Sequence, residues 1–291
     1  MRKSWVQEID DEQLDLLIEK VRREHAVDFR GYKYASLSRR IKRRLNTIKC
    51  PDMEGYLQYL DSEPGEYAKL VDSILINVTD FFRDAEAWNA LRQKVIPRIL
   101  ERKSPGDRIR VWCAGCASGE EAYTFAMLLL KELGNDVFDH EIRVYATDID
   151  EDALTTARFG KYSNEKVKSI PDDLLRKYFT HNSDWIVNRD LRKIVIFGHH
   201  NLITAPAISH VDLIICRNVL IYMSPGLQYR VLTKFHFSLE QDGFLFLGRA
   251  ESLFKASCLF HAVDERWRIF EKAAVTDRLH PFISPVTSST Q

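Results

Sequence analysis

The sequence predicts an α/β protein in which a small all-helical N-terminal domain precedes a doubly wound, mostly parallel sheet. Three observations carry the prediction. Residues 8–75 show apolar residues at helical spacing, with no convincing strand before residue 108. After that point short β-rich runs alternate with helical stretches, the pattern of successive βαβ units. The chain has 291 residues, 45% apolar and 29% charged, the balance of a soluble globular protein of one or two domains.

The elements follow in order. Leu14, Leu17, Ile18 and Val21 form one helical stripe, and Leu37, Ile41, Leu45 and Ile48 a second. A helix written EAWNALRQKVIPRILE leads into the turn Ser104-Pro105-Gly106-Asp107. These features divide the chain into a helical domain at 1–84, a linker helix and turn at 85–106 and a sheet domain at 107–273. Strands are expected at 109–113, 142–147, 194–198, 211–216, 244–248 and 266–270. Helices fit between them near 119–133, 150–158, 172–179 and 226–240. A small insert is expected around 160–193. The polar tail, 274–291, is expected to be disordered.

Composition excludes several classes. The 42 Lys and Arg balance 42 Asp and Glu, so the surface as a whole is no electrostatic trap; no nucleic-acid partner is expected, although a local basic patch survives the charge argument. No apolar run approaches the ~20 residues that span a bilayer, so no membrane insertion is expected. The start is too polar for a secretory signal. Five irregularly spaced cysteines describe no disulfide scaffold. A reduced, cytoplasmic location is the expectation. Cys113 and Cys116 form a C-x-x-C, but no second pair accompanies it and Cys113 lies inside a predicted strand; no metal site is expected.

One stretch departs from neutrality. Residues 30–49 hold eight Lys or Arg and no Asp or Glu. With the second apolar stripe turned inward, Arg39, Arg40, Arg43 and Arg44 are expected on the exposed side. A block of one sign meets an acidic partner, for which a phosphate backbone and an acidic protein helix are both candidates.

In doubly wound sheets ligands bind beyond the carboxyl ends of the strands. Four polar clusters fall there: Ala114 to Glu121, Asp148, His199-His200-Asn201-Leu202, and Arg217-Asn218. Gly115-x-x-x-Gly119 is neither a dinucleotide fingerprint nor a phosphate loop, and it lacks the lysine a nucleoside triphosphate requires. Glu120 and Glu121 occupy the helix start where a pyrophosphate would otherwise sit, and repel it. They suit a ligand with a ribose and a positive charge, as S-adenosylmethionine has. Asp148 is placed to accept from ribose hydroxyls.

Three motifs then carry a resemblance: Asn77-Val78-Thr79-Asp80-Phe81-Phe82-Arg83, the run Cys113 to Glu121 with Tyr123, and Cys216-Arg217-Asn218-Val219-Leu220-Ile221-Tyr222. From about residue 10 to 271 the chain resembles the CheR family, chemoreceptor glutamate O-methyltransferases of bacterial chemotaxis. The resemblance implies a Rossmann-like S-adenosylmethionine-dependent methyltransferase sheet behind a helical domain, with S-adenosylhomocysteine as product. It implies that Asn77, Thr79 and Arg83 contact the cofactor, and that Asp148 and one of Glu120 and Glu121 hold its ribose and methionyl portions. Asn201-Leu202 and Arg217-Asn218 would complete the pocket, Leu202 against the adenine. Arg83 and Tyr222 would lie nearest the transferred methyl. The partner implied is the cytoplasmic helical bundle of methyl-accepting chemoreceptors, with Arg39, Arg40, Arg43 and Arg44 as the docking face and a monomer as the expected state.

The sequence departs from the family pattern in places. Ala122 stands where the family's loop usually has proline, and Gly248-Arg249-Ala250-Glu251-Ser252 carries alanine in place of a usual serine. Some members grip a receptor's C-terminal pentapeptide with a glycine-rich loop. The corresponding His181–Val187 region is short and has no glycine, which predicts recognition of the helical bundle without tail tethering. A methyltransferase acting on RNA or a small molecule, and a non-enzymatic cofactor-binding module, remain as alternatives. The receptors, the modified glutamates and the cellular output stay open.

Overall fold

The computed structural model describes residues 8–274, apart from 26, 64 and 76. The expected tail therefore lies outside the described residues from 275 onward. The N-terminal helical stretch forms α1 (Asp11–His25), α2 (Tyr34–Ile48), α3 (Met53–Ser62) and α4 (Glu66–Ile74). Their apolar stripes meet in one core that contains Leu14, Leu17, Leu37, Ile41, Leu45, Tyr56 and Leu70. Asp52 starts α3 by accepting from the Gly55 N–H, a cap worth about 1 kcal/mol. α2 ends where Lys49 turns to a φ of 60° and its N–H returns to Asn46 and Leu45.

Next come α5 (Ala85–Lys94) and α6 (Ile96–Leu100). Pro97, at the start of α6, has no N–H to continue the first helix, so the chain breaks at Val95. Trp88, Leu91, Val95 and Ile96 share a core with Val111 of the first strand and Phe125 of the helix after it. Residues 85–106, read from the sequence as a linker helix and turn, thus supply core to the sheet.

The sheet half runs β1 (Arg108–Ala114), α7 (Glu120–Leu133), β2 (Glu141–Asp148), α8 (Glu151–Phe159), β3 (Lys161–Tyr162), α9 (Asn164–Val167), α10 (Asp172–Tyr178), β4 (Phe179–His181), β5 (Trp185–Val187), α11 (Arg189–Ile194), β6 (Val195–His199), β7 (Val211–Cys216), α12 (Pro225–Ser238), β8 (Leu239–Leu247), β9 (Phe260–Asp264) and β10 (Ile269–Lys272). Seven strands form one sheet in the order β6-β2-β1-β7-β8-β10-β9. The first five pair in parallel, and β10 pairs antiparallel to β8 and β9. The chain winds outward in both directions from β1 and β7, so a crevice opens at their carboxyl ends. Residues of β3, β5 and β4 form a separate antiparallel sheet within the 160–193 region. No helix among the described residues is long and apolar enough to cross a membrane.

The expected strand at 266–270 needs correction. Arg266 and Trp267 belong to a turn in which the Trp267 N–H donates to Asp264 Oδ1 and Arg268 takes a φ of 55°. The strands lie on either side of that turn, as the β9–β10 hairpin.

Candidate functional site

The loop after β1 is shaped by close approach. Gly115 has a φ of 80°, and a Cβ there would lie 2.4 Å from Val219 Cγ2. Gly119 has a φ of 93°, and its Cβ would lie 2.8 Å from Ala157 Cβ. Only glycine fits either position. Between them the Ala117 N–H donates to Asp148 Oδ2 at 2.7 Å. The other Asp148 oxygen accepts from the Asp150 N–H at 3.0 Å. Asp148 thus ties the glycine loop to the turn after β2. Burial pushes its pKa up, opposed by these backbone donors.

Glu120 and Glu121 are neighbours with different surroundings. Glu120 is 1% exposed, accepts from Ser118 Oγ at 2.7 Å and lies 3.3 Å from Lys166 Nζ. It does not line the cavity. Glu121 does. Its Oε2 lies 3.4 Å from Arg217 Nη1, and its Oε1 has no hydrogen-bond partner among the described residues. Burial pushes the Glu121 pKa up to about 7, with Arg217 opposing.

The segment Asn77 to Asp84 is stitched to four other elements. The Asn77 amide donates to Asp150. Lys166 Nζ donates to the Thr79 carbonyl at 2.5 Å, and Ser169 Oγ to that of Phe81 at 2.6 Å. The Phe82 N–H donates to Thr124 Oγ1 at 3.1 Å. Arg217, 4% exposed, donates to the Arg83 carbonyl at 3.1 Å and to Asp84 Oδ2 at 2.6 Å. Its charge is committed to Asp84 and Glu121, and it packs over the Trp88 and Phe246 rings. Arg83 donates to the Val78 carbonyl at 3.0 Å and stays exposed. It makes no ion pair with Asp148 or Glu121.

The loop after β7 has an anchor that the sequence reading passed over. Glu251, 3% exposed, accepts from the N–H groups of Asn218, Val219, Leu220 and Gly248 at 3.0, 2.8, 2.8 and 2.6 Å. Four donors stand in for a counter-charge, although burial still pushes its pKa up. The acid was visible in the sequence; its convergence on four backbone donors was not. Asn201 organises its own loop, its Oδ1 accepting from the Ile203 N–H at 2.9 Å. His200 Nε2 lies 2.8 Å from the Pro206 carbonyl. A carbonyl only accepts, so Nε2 carries the proton, and burial lowers the ring's pKa.

The helical domain closes the site. Tyr32 forms a bridge with Met223, the Ser224 N–H donates to the Gly31 carbonyl at 2.7 Å, and the Lys33 N–H to that of Tyr222 at 2.8 Å. Tyr32 and Asp28 consequently line the cavity. Burial pushes the Tyr32 pKa up to about 12, and Asp148 adds to the shift.

The basic helix is only partly as expected. Arg39 and Arg43 are exposed. Arg44 faces inward, its Nε 2.8 Å from Glu66 Oε1 and its Nη2 2.6 Å from Glu66 Oε2. Arg40 also turns inward, its guanidinium 5.0 Å from the centre of the Tyr222 ring. The reason is geometric: residues 40 and 44 border the apolar stripe, where partners from α4 and the β7 loop reach them. Cys113 and Cys116 are buried, and desolvation pushes both thiols up.

One cavity is lined by Asn77, Thr79, Arg83, Glu121, Asp148, Asn201, Leu202, Arg217, Asn218 and Tyr222. Ile149 and His200 line it too, but among the described residues no lysine does. Three carboxylates line it, Asp28, Glu121 and Asp148, and with a Glu121 oxygen that has no hydrogen-bond partner among the described residues they fit a cationic nucleoside far better than a phosphate. S-adenosylmethionine meets that description. A family model described as CheR methyltransferase, SAM binding domain, matches residues 77–269, and one described as CheR methyltransferase, all-alpha domain, matches residues 12–75. An uncharacterised 104.1 kDa protein of Rhodobacter capsulatus is 34% identical over 282 residues, which are 95% of this chain and 28% of that protein. A chemotaxis protein methyltransferase of Borreliella burgdorferi is 30% identical, covering 84% of this chain and 89% of its own length. One of Listeria monocytogenes is 32% identical, covering 80% and 87%. Both halves of the chain are matched, in order, and the first half closes the cavity the second half builds: the chain belongs to the CheR methyltransferase family, and its cofactor is S-adenosylmethionine.

Proposed function

We propose that the protein methylates glutamate side chains on the cytoplasmic helical bundle of chemoreceptors, forming methyl esters, and needs no receptor pentapeptide to do so. The carrying observation is a cofactor cavity lined by both Arg83 and Tyr222, with Arg83 exposed and, among the described residues, in no ion pair. The coarser statement, S-adenosylmethionine-dependent methylation within chemotaxis, follows from the family and from the names of the relatives.

The chemistry requires little of the protein. A glutamate carboxylate is already ionised at neutral pH, so no strong base is needed. Bound S-adenosylmethionine supplies an electrophilic methyl on a sulfonium that departs as a neutral thioether. Glu121 and Asp148 would hold its cationic and ribose portions, and Asn77, Thr79, Asn201, Leu202, Arg217 and Asn218 would shape the pocket. Arg83, which has no ion pair among the described residues, draws the incoming carboxylate, and Tyr222 orients it. Pairing that is too tight would blunt the nucleophile, so positioning is the role that suits Arg83. Tyr32 and Met223 close the cavity against water.

Direct recognition of the bundle rests on two features. Arg39 and Arg43 stand exposed on α2, with Lys33 exposed at its start. The small antiparallel sheet has only Asn182, Ser183 and Asp184 between β4 and β5, too short a turn for a peptide-gripping loop.

The test is methyl transfer from labelled cofactor to a purified receptor signalling fragment, with and without its last five residues. Base-labile label on both, lost when the receptor glutamates become alanine, is the expected result. Label confined to the fragment with its tail would reject tether-free recognition. A base-stable label, or no transfer despite cofactor binding, would reject glutamate esterification.

A further inference from the structure

We infer that Arg40 is a positioning residue for methyl transfer, holding Tyr222 in place from the helical domain instead of docking a receptor. The inference rests on the proposed role of Tyr222 beside the reacting methyl. Arg40 Nη1 donates to the Ile74 carbonyl at 2.8 Å. Ile74 is the last residue of α4, where carbonyls lack helical partners and the helix dipole favours a cation. The guanidinium lies 5.0 Å from the centre of the Tyr222 ring, within cation–π range. One end of a helix and one aromatic face therefore fix the same charge. Among the described residues Arg40 has no carboxylate partner, and burial drives its pKa down.

The remaining contacts explain what Arg40 adds. The Tyr222 backbone is already held from both sides, by the Lys33 N–H on its carbonyl and by Glu251 on the turn before it. Lys33 Nζ also donates to the Ile221 carbonyl at 2.8 Å. Two side-chain torsions of Tyr222 remain to be set, and Arg40 stacks on the ring they move. Arg39 and Arg43, on the same helix, make no such contact and remain exposed. The same helix thus carries two kinds of arginine, distinguishable by kinetics.

Steady-state methylation of a receptor fragment should be compared across Arg40→Ala, Arg39→Ala, Tyr222→Ala and the Arg40→Ala/Tyr222→Ala pair. Arg40→Ala is expected to lower kcat about tenfold, with the receptor KM and the cofactor Kd within about twofold of wild type. Arg39→Ala should instead raise KM at unchanged kcat. In the Tyr222→Ala background, Arg40→Ala should cost less than about twofold more, because the ring it positions is gone. A raised KM with kcat intact, or the full tenfold loss in both backgrounds, would overturn the inference. Thermal melts of the same four proteins separate this outcome from failure of the functional reading. If the wild type methylates no receptor fragment, the proposed function falls. Non-additive melting shifts for Arg40 and Tyr222 would then still uphold the contact, and additive shifts would remove it.

Discussion

Glu121 joins burial to binding. Its ordinary pKa of 4.5 rises to about 7 because desolvation outweighs the attraction of Arg217. In the free protein the carboxyl is therefore largely protonated below that pH, whereas a cationic ligand favours the ionised form. Cofactor Kd should rise toward tenfold per pH unit below 7 and flatten above it, measured by calorimetry from pH 5.5 to 8.5. Glu121→Gln should bind weakly with no such slope; a wild-type profile that stays flat would remove Glu121 from the cofactor site. The stability linkage has the opposite sense. The folded pKa lies above the unfolded one, so a penalty appears as pH rises past 4.5 and is complete above 7, at about 3 kcal/mol. Glu121→Gln should thus melt higher than wild type at pH 8 without cofactor. Legibility at this scale depended on chain position. Asp148 and Asn201 could be read because strand ends mark them. The separation of Glu120 from Glu121 could not, because it depends on Lys166 and Arg217 arriving from distant segments.

At the scale of the element, α2 carries an apolar stripe and two kinds of arginine, buried-side and exposed. Its apolar stripe was legible from spacing alone, and Leu37, Ile41 and Leu45 are buried as that spacing requires. By spacing alone, Arg39, Arg40, Arg43 and Arg44 form one exposed block. Glu66, 1% exposed, instead draws in Arg44 and also accepts from the Tyr56 hydroxyl at 2.9 Å. Arg44→Ala would strand a buried carboxylate, and urea unfolding should show a loss of about 3–5 kcal/mol. The exposed pair should behave differently. Arg39→Glu with Arg43→Glu should leave stability within about 0.5 kcal/mol of wild type, weaken receptor methylation and abolish much of its salt dependence. A stability loss in that double variant matching the Arg44→Ala loss would show that the outer arginines are structural too. The β9–β10 hairpin was half-legible: its apolar residues were noticed, but the turn at Arg266–Arg268 depends on the Asp264 side chain, which periodicity does not see.

The whole molecule has three cores, and residues from the helical and sheet parts together line its ligand cavity. One belongs to α1–α4, and the others flank the seven-stranded sheet. Ile74 and Tyr32 line the cavity from the first part, and Asp148 and Asn218 from the second. A ligand bound there must stabilise both parts at once. At a hundredfold excess over Kd, the cofactor should add about 2.7 kcal/mol. Hydrogen exchange should show protection spreading through α1–α4 as well as the sheet. Protection confined to the sheet would mean that the helical domain does not close on the ligand.

The sequence by itself determined the fold class, the mostly parallel character of the sheet and the strand ends where a ligand would bind. Those features are local: periodicity sets each element, glycine sets the loops that bend sharply, and strand ends follow from both. Tertiary structure alone decided which acid of the Glu120–Glu121 pair faces the cavity, which arginines of α2 remain outside, and that Glu251 holds the loop behind Tyr222. Each of those outcomes depends on partners far along the chain, and burial changes the energy of a charge according to the neighbours it meets.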